Sequence, residues 1–321
     1  MKIKIIYHKN CTDGFMAAFV CNILIESYIH SNYGKIISVK DDVEFIPISP
    51  NTIPNIDDIE NSYIYIFDVA IPVDDFKNWI KLAKNVELYD HHISNKKEYE
   101  EHNLTNCYFD LEESGASLAY KKMYNAYRLD KSGKIFKVKD VKDSYMYWFV
   151  QYVKDKDLWK FSLNNSKEIN SFIYSIPMSF DEYTKNFIDY SKYDINPAYT
   201  GAVIYNSEQR LIKSIADNHD YMLWKSNEFG TFTVPVVNSN VFQSEIGNIL
   251  AQKTEHFAVV WYVFYQNRIP KVKLSLRSVG DFDVSVIAKE LGGGGHKNAA
   301  GCSVDYREFN PYLLNAVRIN K

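Results

Sequence analysis

Residues 63–92 read YIYIFDVAIPVDDFKNWIKLAKNVELYDHH, and their pattern decides the fold. YIYIFDVA (63–70) is a strand-like apolar run, DDFKNWIKLAK (74–84) is amphipathic, and VELYDHH (86–92) is strand-like again. Strand, helix and strand at this spacing predict a parallel pair with the helix crossing over one face of a sheet. The same alternation runs upstream. IKIIY (3–7) is a continuous apolar run, DGFMAAFVCNILIESYIH (13–30) spaces Phe15, Ala18, Phe19 and Ile23 as a helix does, and EFIPIS (44–49) adds another strand. The expectation is an α/β domain built on a mainly parallel sheet with both faces covered. In such sheets ligands gather outside the carboxyl ends of the strands, where His8, Asp68 and Asp90 are placed.

Downstream, residues 114–190 have helical spacing and complete a first domain over 1–190. Residues 191–228, with Pro197, Gly201 and a helix through QRLIKSIADNH, read as a helical connector. A smaller α/β domain is expected over 229–321, from FTVPVVN, a helix opening at Ser244, the strands AVVWYVFY and KVKLSLRS, the helix VSVIAKEL, and GGGGHKNAAG (292–301). No internal repeat is present.

A chain of 321 residues is long enough for two cores, so folding requires neither disulfides nor metals. The net charge of −3, from 37 basic and 40 acidic residues, excludes a basic coat for indiscriminate binding to long nucleic acid. Cys11, Cys21, Cys107 and Cys302 form no CxxC spacing, and Met1 leads straight into a strand-like segment. No apolar run approaches the roughly 18 residues of a membrane span. A cytoplasmic protein without a membrane partner is therefore expected. The 25 tyrosines accompany abundant Lys, Ile and Asn, a composition bias rather than a stacking surface.

Asp13, Asp68, Asp90 and Asp155 stand at ends of predicted elements, together with His8, His91 and His92. Such negative charge gathered in a crevice is costly unless cations neutralise it, and oxygen with imidazole ligands suits manganese or a similar divalent ion. Singly, each has a structural explanation: Asp13 as a helix cap, Asp68 as a turn residue. GGGGHKNAAG concentrates four of 13 glycines in one run. Consecutive glycines let backbone N–H groups converge on an anion, with His296 as a further donor; the alternative is a glycine-rich helix stop after VSVIAKEL. The run matches neither the dinucleotide fingerprint nor a P-loop. Arg277, ending KVKLSLR, is suited to bidentate pairing with phosphate.

YDHH (89–92) and GGGGHKNAAG, in this order and about 200 residues apart, give the chain its resemblance to the DHH/DHHA1 phosphoesterase superfamily, and within it to the short two-domain nanoRNase-type members. The resemblance spans His8 to Gly301. It implies a metal-binding DHH domain, a substrate-binding DHHA1 domain and an active site in the cleft between them. It further implies two divalent ions, with Mn²⁺ the leading choice, held by His8, Asp13, Asp68, His91 and Asp155. Asp157 is a rival for the last place. Asp90 and His92 become the supporting catalytic pair, and Arg277, Gly293, Gly294, Gly295 and His296 the substrate contacts. Cys11 stands where relatives carry an aspartate, and is a space-filler, a position completed by water, or a thiolate ligand. The implied reaction is hydrolysis of short single-stranded oligonucleotides to nucleoside monophosphates by a water activated between two metals. Cyclic-dinucleotide hydrolysis and removal of the 3′-phosphate of a bisphosphorylated nucleotide are the alternatives within the class. A non-catalytic nucleic-acid-binding scaffold is the alternative outside it, and a homodimer is a compatible assembly.

Overall fold

A computed structural model describes residues 1–50, 52–124, 127–129, 135–137, 145–188, 196–307 and 309. The chain divides into two compact units, Met1–Tyr205 and Asn206–Lys321.

The first unit holds five parallel strands, β1 (Lys2–His8), β2 (Val43–Ile48), β3 (Ser62–Phe67), β4 (Asn85–Asp90) and β5 (Cys107–Phe109), in the order β2-β1-β3-β4-β5. Both faces are covered, so the strands read as apolar runs rather than as alternating patterns. Period-two geometry sends Ile3, Ile5, Tyr65, Phe67 and Tyr89 to a core shared with α1 (Thr12–Tyr33). It sends Ile6, Ile64, Ile66, Val86 and Leu88 to a second core with Phe76 and Trp79 of α3 (Val73–Leu82). Between α1 and α3 lies the short α2 (Val39–Asp42), and the expected strand–helix–strand unit over 63–92 is β3-α3-β4. Because β2 follows β1 on one side and β3 lies on the other, the strand order reverses at the β1/β3 boundary. His8 ends β1 and Asp68 follows β3, at the switch point where open α/β sheets bind ligands.

The unit continues through α4 (Ile93–Glu101), α5 (Gly115–Met123), a two-stranded ribbon of β6 (Tyr127–Leu129) and β7 (Ile135–Lys137), α6 (Tyr145–Asp157), α7 (Ser166–Ser175) and α8 (Phe180–Tyr183). Among the described residues of 114–190 the regular structure is helical as expected apart from that ribbon, and residues 141–144 of the expected helical stretch lie outside the described residues. α1 is long and apolar enough to span a membrane by length and composition, contrary to the expectation that no such run exists. It is the central helix of the larger core, with 67% of its most apolar stretch buried.

The second unit carries a six-stranded mixed sheet, in the order β12-β13-β11-β10-β9-β8. Its strands are β8 (Asp220–Ser226), β9 (Gly230–Asn238), β10 (Phe257–Gln266), β11 (Ile269–Ser278), β12 (Gly294–His296) and β13 (Ala299–Asp305). Only the β9–β10 pairing is parallel. One face packs on α11 (Val284–Glu290); the other packs on α10 (Gln243–Ala251) and on Ile212 and Ala216 of α9 (Pro197–Asp217). Two features depart from the expected connector over 191–228: the division between units falls inside α9, and residues 220–226 form a strand of the second sheet.

Candidate functional site

The turn after β3 places Asp68 in the left-handed region, with φ 61°. That conformation is costly for a residue with a Cβ, though aspartate tolerates it better than most, and its persistence marks a position fixed by its surroundings. Two glycines let helices close on this turn. A Cβ at Gly14 would overlap His8, and a Cβ at Gly115 would overlap Asp68. The first turns of α1 and α5 can therefore lie directly against the ends of β1 and β3.

The side chains converge as follows. Asp68 Oδ1 is 3.1 Å from His91 Nε2, and Asp68 Oδ2 is 3.4 Å from His8 Nδ1. His91 Nε2 lies 3.4 Å from Asp157 Oδ2 and 4.0 Å from Asp13 Oδ2. Asp13 also accepts the Gly115 and Ala116 N–H groups, at 2.5 and 3.0 Å, so it caps α5 while facing His91. Asp90 accepts the His91 N–H at 2.8 Å, the His92 Nδ1–H at 2.7 Å and the Asn95 side-chain N–H at 2.6 Å. It supports the two histidines, and Asn95 is a member of the site that the sequence did not single out.

Two aspartates of α6 part company. Asp155 accepts the Ser162 N–H and hydroxyl at 2.9 and 2.7 Å, the Leu163 N–H at 3.2 Å and the Ser166 hydroxyl at 2.5 Å. The expectation that Asp155 joins the metal ligands is therefore corrected: its carboxylate organises the loop after α6, and Asp157 is the residue beside His91. Side chains two apart on a helix point about 200° apart, so only one of the pair can face the site.

The electrostatics are those of a carboxylate cluster short of positive charge. Burial, then the charges of Asp68 and Asp157, push Asp13 well above the usual carboxylate range; Asp157, although it keeps solvent exposure, is also raised, by crowding from the surrounding side chains and by the charge of Asp68. Asp68 goes the opposite way: burial would raise it, but His8 and His91 beside it hold its carboxyl far below the usual range. His91 is buried, which would lower it, yet its bond to Asp68 and the charges of Asp157, Asp68 and Asp13 push it up to about 10. His92 is raised and Asp90 lowered by their mutual pairing, against the opposing effect of burial. Burial and the same carboxylates push the Cys11 thiol upward, so the thiolate is disfavoured while no cation is near.

The residues fit a metal. His8 Nδ1 and Asp68 Oδ2 are buried, face each other and have no hydrogen-bond partner. Such orphaned polar atoms are rare in folded proteins and call for an ion or water. Possible ligand atoms fall into overlapping groups, each within 4.8 Å: His8, Cys11 and Asp68; Asp13, His91 and Asp157; and Asp68, Asp90, His91 and His92. Mixed imidazole and carboxylate donors suit manganese and related divalent ions.

In the second unit the glycine run serves the fold first. The N–H groups of Gly292 and Gly293 donate to Lys289 and Ala288 at the end of α11, at 3.0 and 2.8 Å. They do not converge as the expected anion nest; the helix-stop alternative accounts for both. Gly294, Gly295 and His296 form β12, paired with Gly301, Ala300 and Ala299 of β13. A Cβ at Gly293 or Gly295 would overlap β13, whereas Gly294 has open space. Ala299 is also the partner of Arg277 on β11, so His296, Ala299 and Arg277 share one cross-strand row. Arg277 donates to Ser244 Oγ at 2.8 Å and to the Leu276 carbonyl at 2.8 Å, and its stem packs against Gly247. Burial lowers its guanidinium to about 10.

Residues 230–318 match the model of the DHHA1 domain. An uncharacterized protein of Acanthamoeba polyphaga mimivirus is 24% identical over 307 residues, covering 92% of this chain and 66% of that protein. The oligoribonuclease NrnB of Bacillus subtilis (strain 168) is 26% identical over 184 residues, covering 54% of this chain and 43% of that protein. The chain thus spans less than two thirds of the length of either relative. A solved structure described as the DHH domain of a member of the s1p family of ribosomal proteins aligns with a TM-score of 0.56 at 13% identity, covering 98% of this chain and 84% of that one, and shares the fold. Residues 230–318 thus carry a DHHA1 domain, which follows a parallel-sheet unit whose β4 runs into Asp90-His91-His92; both features support the resemblance to the DHH/DHHA1 superfamily.

Proposed function

We propose that the protein is a divalent-metal-dependent phosphodiesterase that hydrolyses short oligonucleotides to nucleoside monophosphates. The observation that carries this is the convergence of His8, Asp13, Asp68, His91 and Asp157 at the strand ends, with Asp68 Oδ2 and His8 Nδ1 buried, 3.4 Å apart and without a hydrogen bond. His8 with Asp68, and Asp13 with His91 and Asp157, would hold two divalent ions, Mn²⁺ being the choice the donor set favours. Ions bound there supply positive charge that makes a water nucleophilic at neutral pH and offsets charge developing on phosphorus.

The chain's own residues perform the rest. Asp90 fixes the His91 and His92 backbone and holds the His92 ring through Nδ1, presenting that imidazole as a partner for a phosphate oxygen. In the second unit Arg277 and His296, in one row with only the methyl group of Ala299 between them, form the substrate-phosphate contact, and Gly293 and Gly295 allow β12 to carry His296 into that row. Cys11 occupies the position beside His8 and Asp68, where it would either leave a place in the shell to water or join as a thiolate once a cation is bound.

The test is a panel with added Mn²⁺: labelled dimers to pentamers of RNA and DNA, cyclic dinucleotides, bisphosphorylated adenosine and pyrophosphate, with Asp68→Asn as control. Release of mononucleotides from the oligomers, abolished in the variant, is expected. Turnover confined to cyclic dinucleotides or bisphosphorylated adenosine would replace the substrate assignment; no turnover and no bound metal would leave a binding scaffold.

A further inference from the structure

The mechanism above leaves one buried carboxylate and one strained segment without a task, and they are the same place. Asp155 holds residues 160–166 from both ends of its structure. Its carbonyl accepts the Lys160 and Phe161 N–H groups at 2.9 and 3.3 Å, while its carboxylate accepts the four donors from Ser162, Leu163 and Ser166. Within this wrap Trp159 and Phe161 are both left-handed, at φ 55° and 47°. Bulky aromatic residues adopt that conformation rarely, and two in three positions require a compensating cause. The outcome is an exposed indole: Trp159 is 41% exposed, its ring 5.0 Å from that of Phe161 and edge-on at 75°.

A lysine lies beside the pair: Lys167 Nζ sits 5.5 Å from the Phe161 ring. Trp159 is two residues beyond Asp157, which reaches His91. An exposed indole braced by a second ring, with a cation on that second ring and close along the chain to the carboxylate cluster, matches the way single-stranded nucleic acid is held: bases stack on rings while cations attract the backbone.

We propose that Trp159, braced by Phe161 and held by Asp155, is a stacking subsite for a nucleobase of a single-stranded substrate, next to the scissile phosphate. The proposal rests on the oligonucleotide reading of the site. Asp155 is a positioning residue in it, and the ligand is the flat face of a base, with little sequence preference because every base offers one.

The test uses the Mn²⁺-loaded full chain and two substrates: a pentanucleotide, and the p-nitrophenyl ester of methyl phosphate, a phosphodiester that carries no nucleobase. Trp159→Ala is expected to raise the KM for the pentanucleotide about tenfold, within the range of stacking losses per base. The kcat and the turnover of the p-nitrophenyl ester should stay unchanged, and Trp159→Phe should recover most of the affinity. Quenching of tryptophan fluorescence by the pentanucleotide in Ca²⁺ should fall in Trp159→Ala. Asp155→Asn should reproduce the KM effect without loss of bound metal. Unchanged KM and quenching in Trp159→Ala, with the wild type cleaving the pentanucleotide, overturn the subsite and leave the enzyme. Trp159-dependent quenching without cleavage overturns the enzyme and keeps the subsite, and a wild type that neither binds nor cleaves overturns both.

Discussion

The ends of β1, β3 and β4 and the glycine run of the second unit both stood out in the sequence, but the structure treats them oppositely. At the strand ends polar atoms are crowded and incompletely partnered, with Asp68 Oδ2 and His8 Nδ1 facing each other without a hydrogen bond. In the glycine run the first two N–H groups are taken up by α11 and the next residues by pairing with β13. A buried polar group without a partner signals a ligand, because burial without compensation is costly. A glycine-rich motif signals close backbone approach, which a hairpin needs as much as a phosphate does.

The largest expected effect tests the first half of that contrast. Asp68→Asn removes the carboxylate between the two histidines and should lower kcat more than about 100-fold, beyond the range usual for outer-shell partners of a metal. It should also reduce bound Mn²⁺ in elemental analysis; full activity with full metal would sink the assignment.

The contrast repeats in miniature within α6. Asp157→Asn should weaken Mn²⁺ binding, whereas Asp155→Asn should retain the metal and lose about 1.5–3 kcal/mol in urea unfolding, the scale for hydrogen bonds to a buried charge. The reverse pattern would restore Asp155 to the metal site. Inside the glycine run, Gly295→Ala should destabilise the second unit by about 1–3 kcal/mol, from φ 143° and overlap with β13. Gly294→Ala, with open space at its Cβ, should be tolerated. Equal melting temperatures for the two variants would refute the packing account.

A pH effect sharpens the charge difference. His91 is held at about 10 against 6.5 unfolded, so its contribution to the metal-free protein is complete below 6.5 and is lost as pH rises through about 10. Thermal melts of metal-free protein should show this loss, and His91→Gln should flatten it. The smallest change expected is at Cys11. With a carboxylate added to the oxygen donors there, Cys11→Asp should tighten Mn²⁺ binding and leave the range of substrates unchanged, while a loss of bound zinc in that variant would identify a thiolate ligand.

Much of this was legible in the chain itself. Continuous apolar runs and an amphipathic helix over 74–84 determined a parallel α/β sheet, because strands covered on both faces have no polar side to show. Strand ends placed His8, Asp68 and Asp90 in one crevice, because parallel strands share a direction and so share an end. The choice between Asp155 and Asp157 was not legible. Both lie on one helix, and the one that faces the histidines is set by how α6 rotates as Phe149, Val150 and Val153 pack into the core around α1. Nor could sequence show that Asp13 caps α5 while facing His91, since the two helices lie about 100 residues apart along the chain and meet through Gly115. Local pattern determined the elements and their ends; the tertiary structure alone decided which polar atoms were left facing one another without partners, because that depends on contacts between segments distant in sequence.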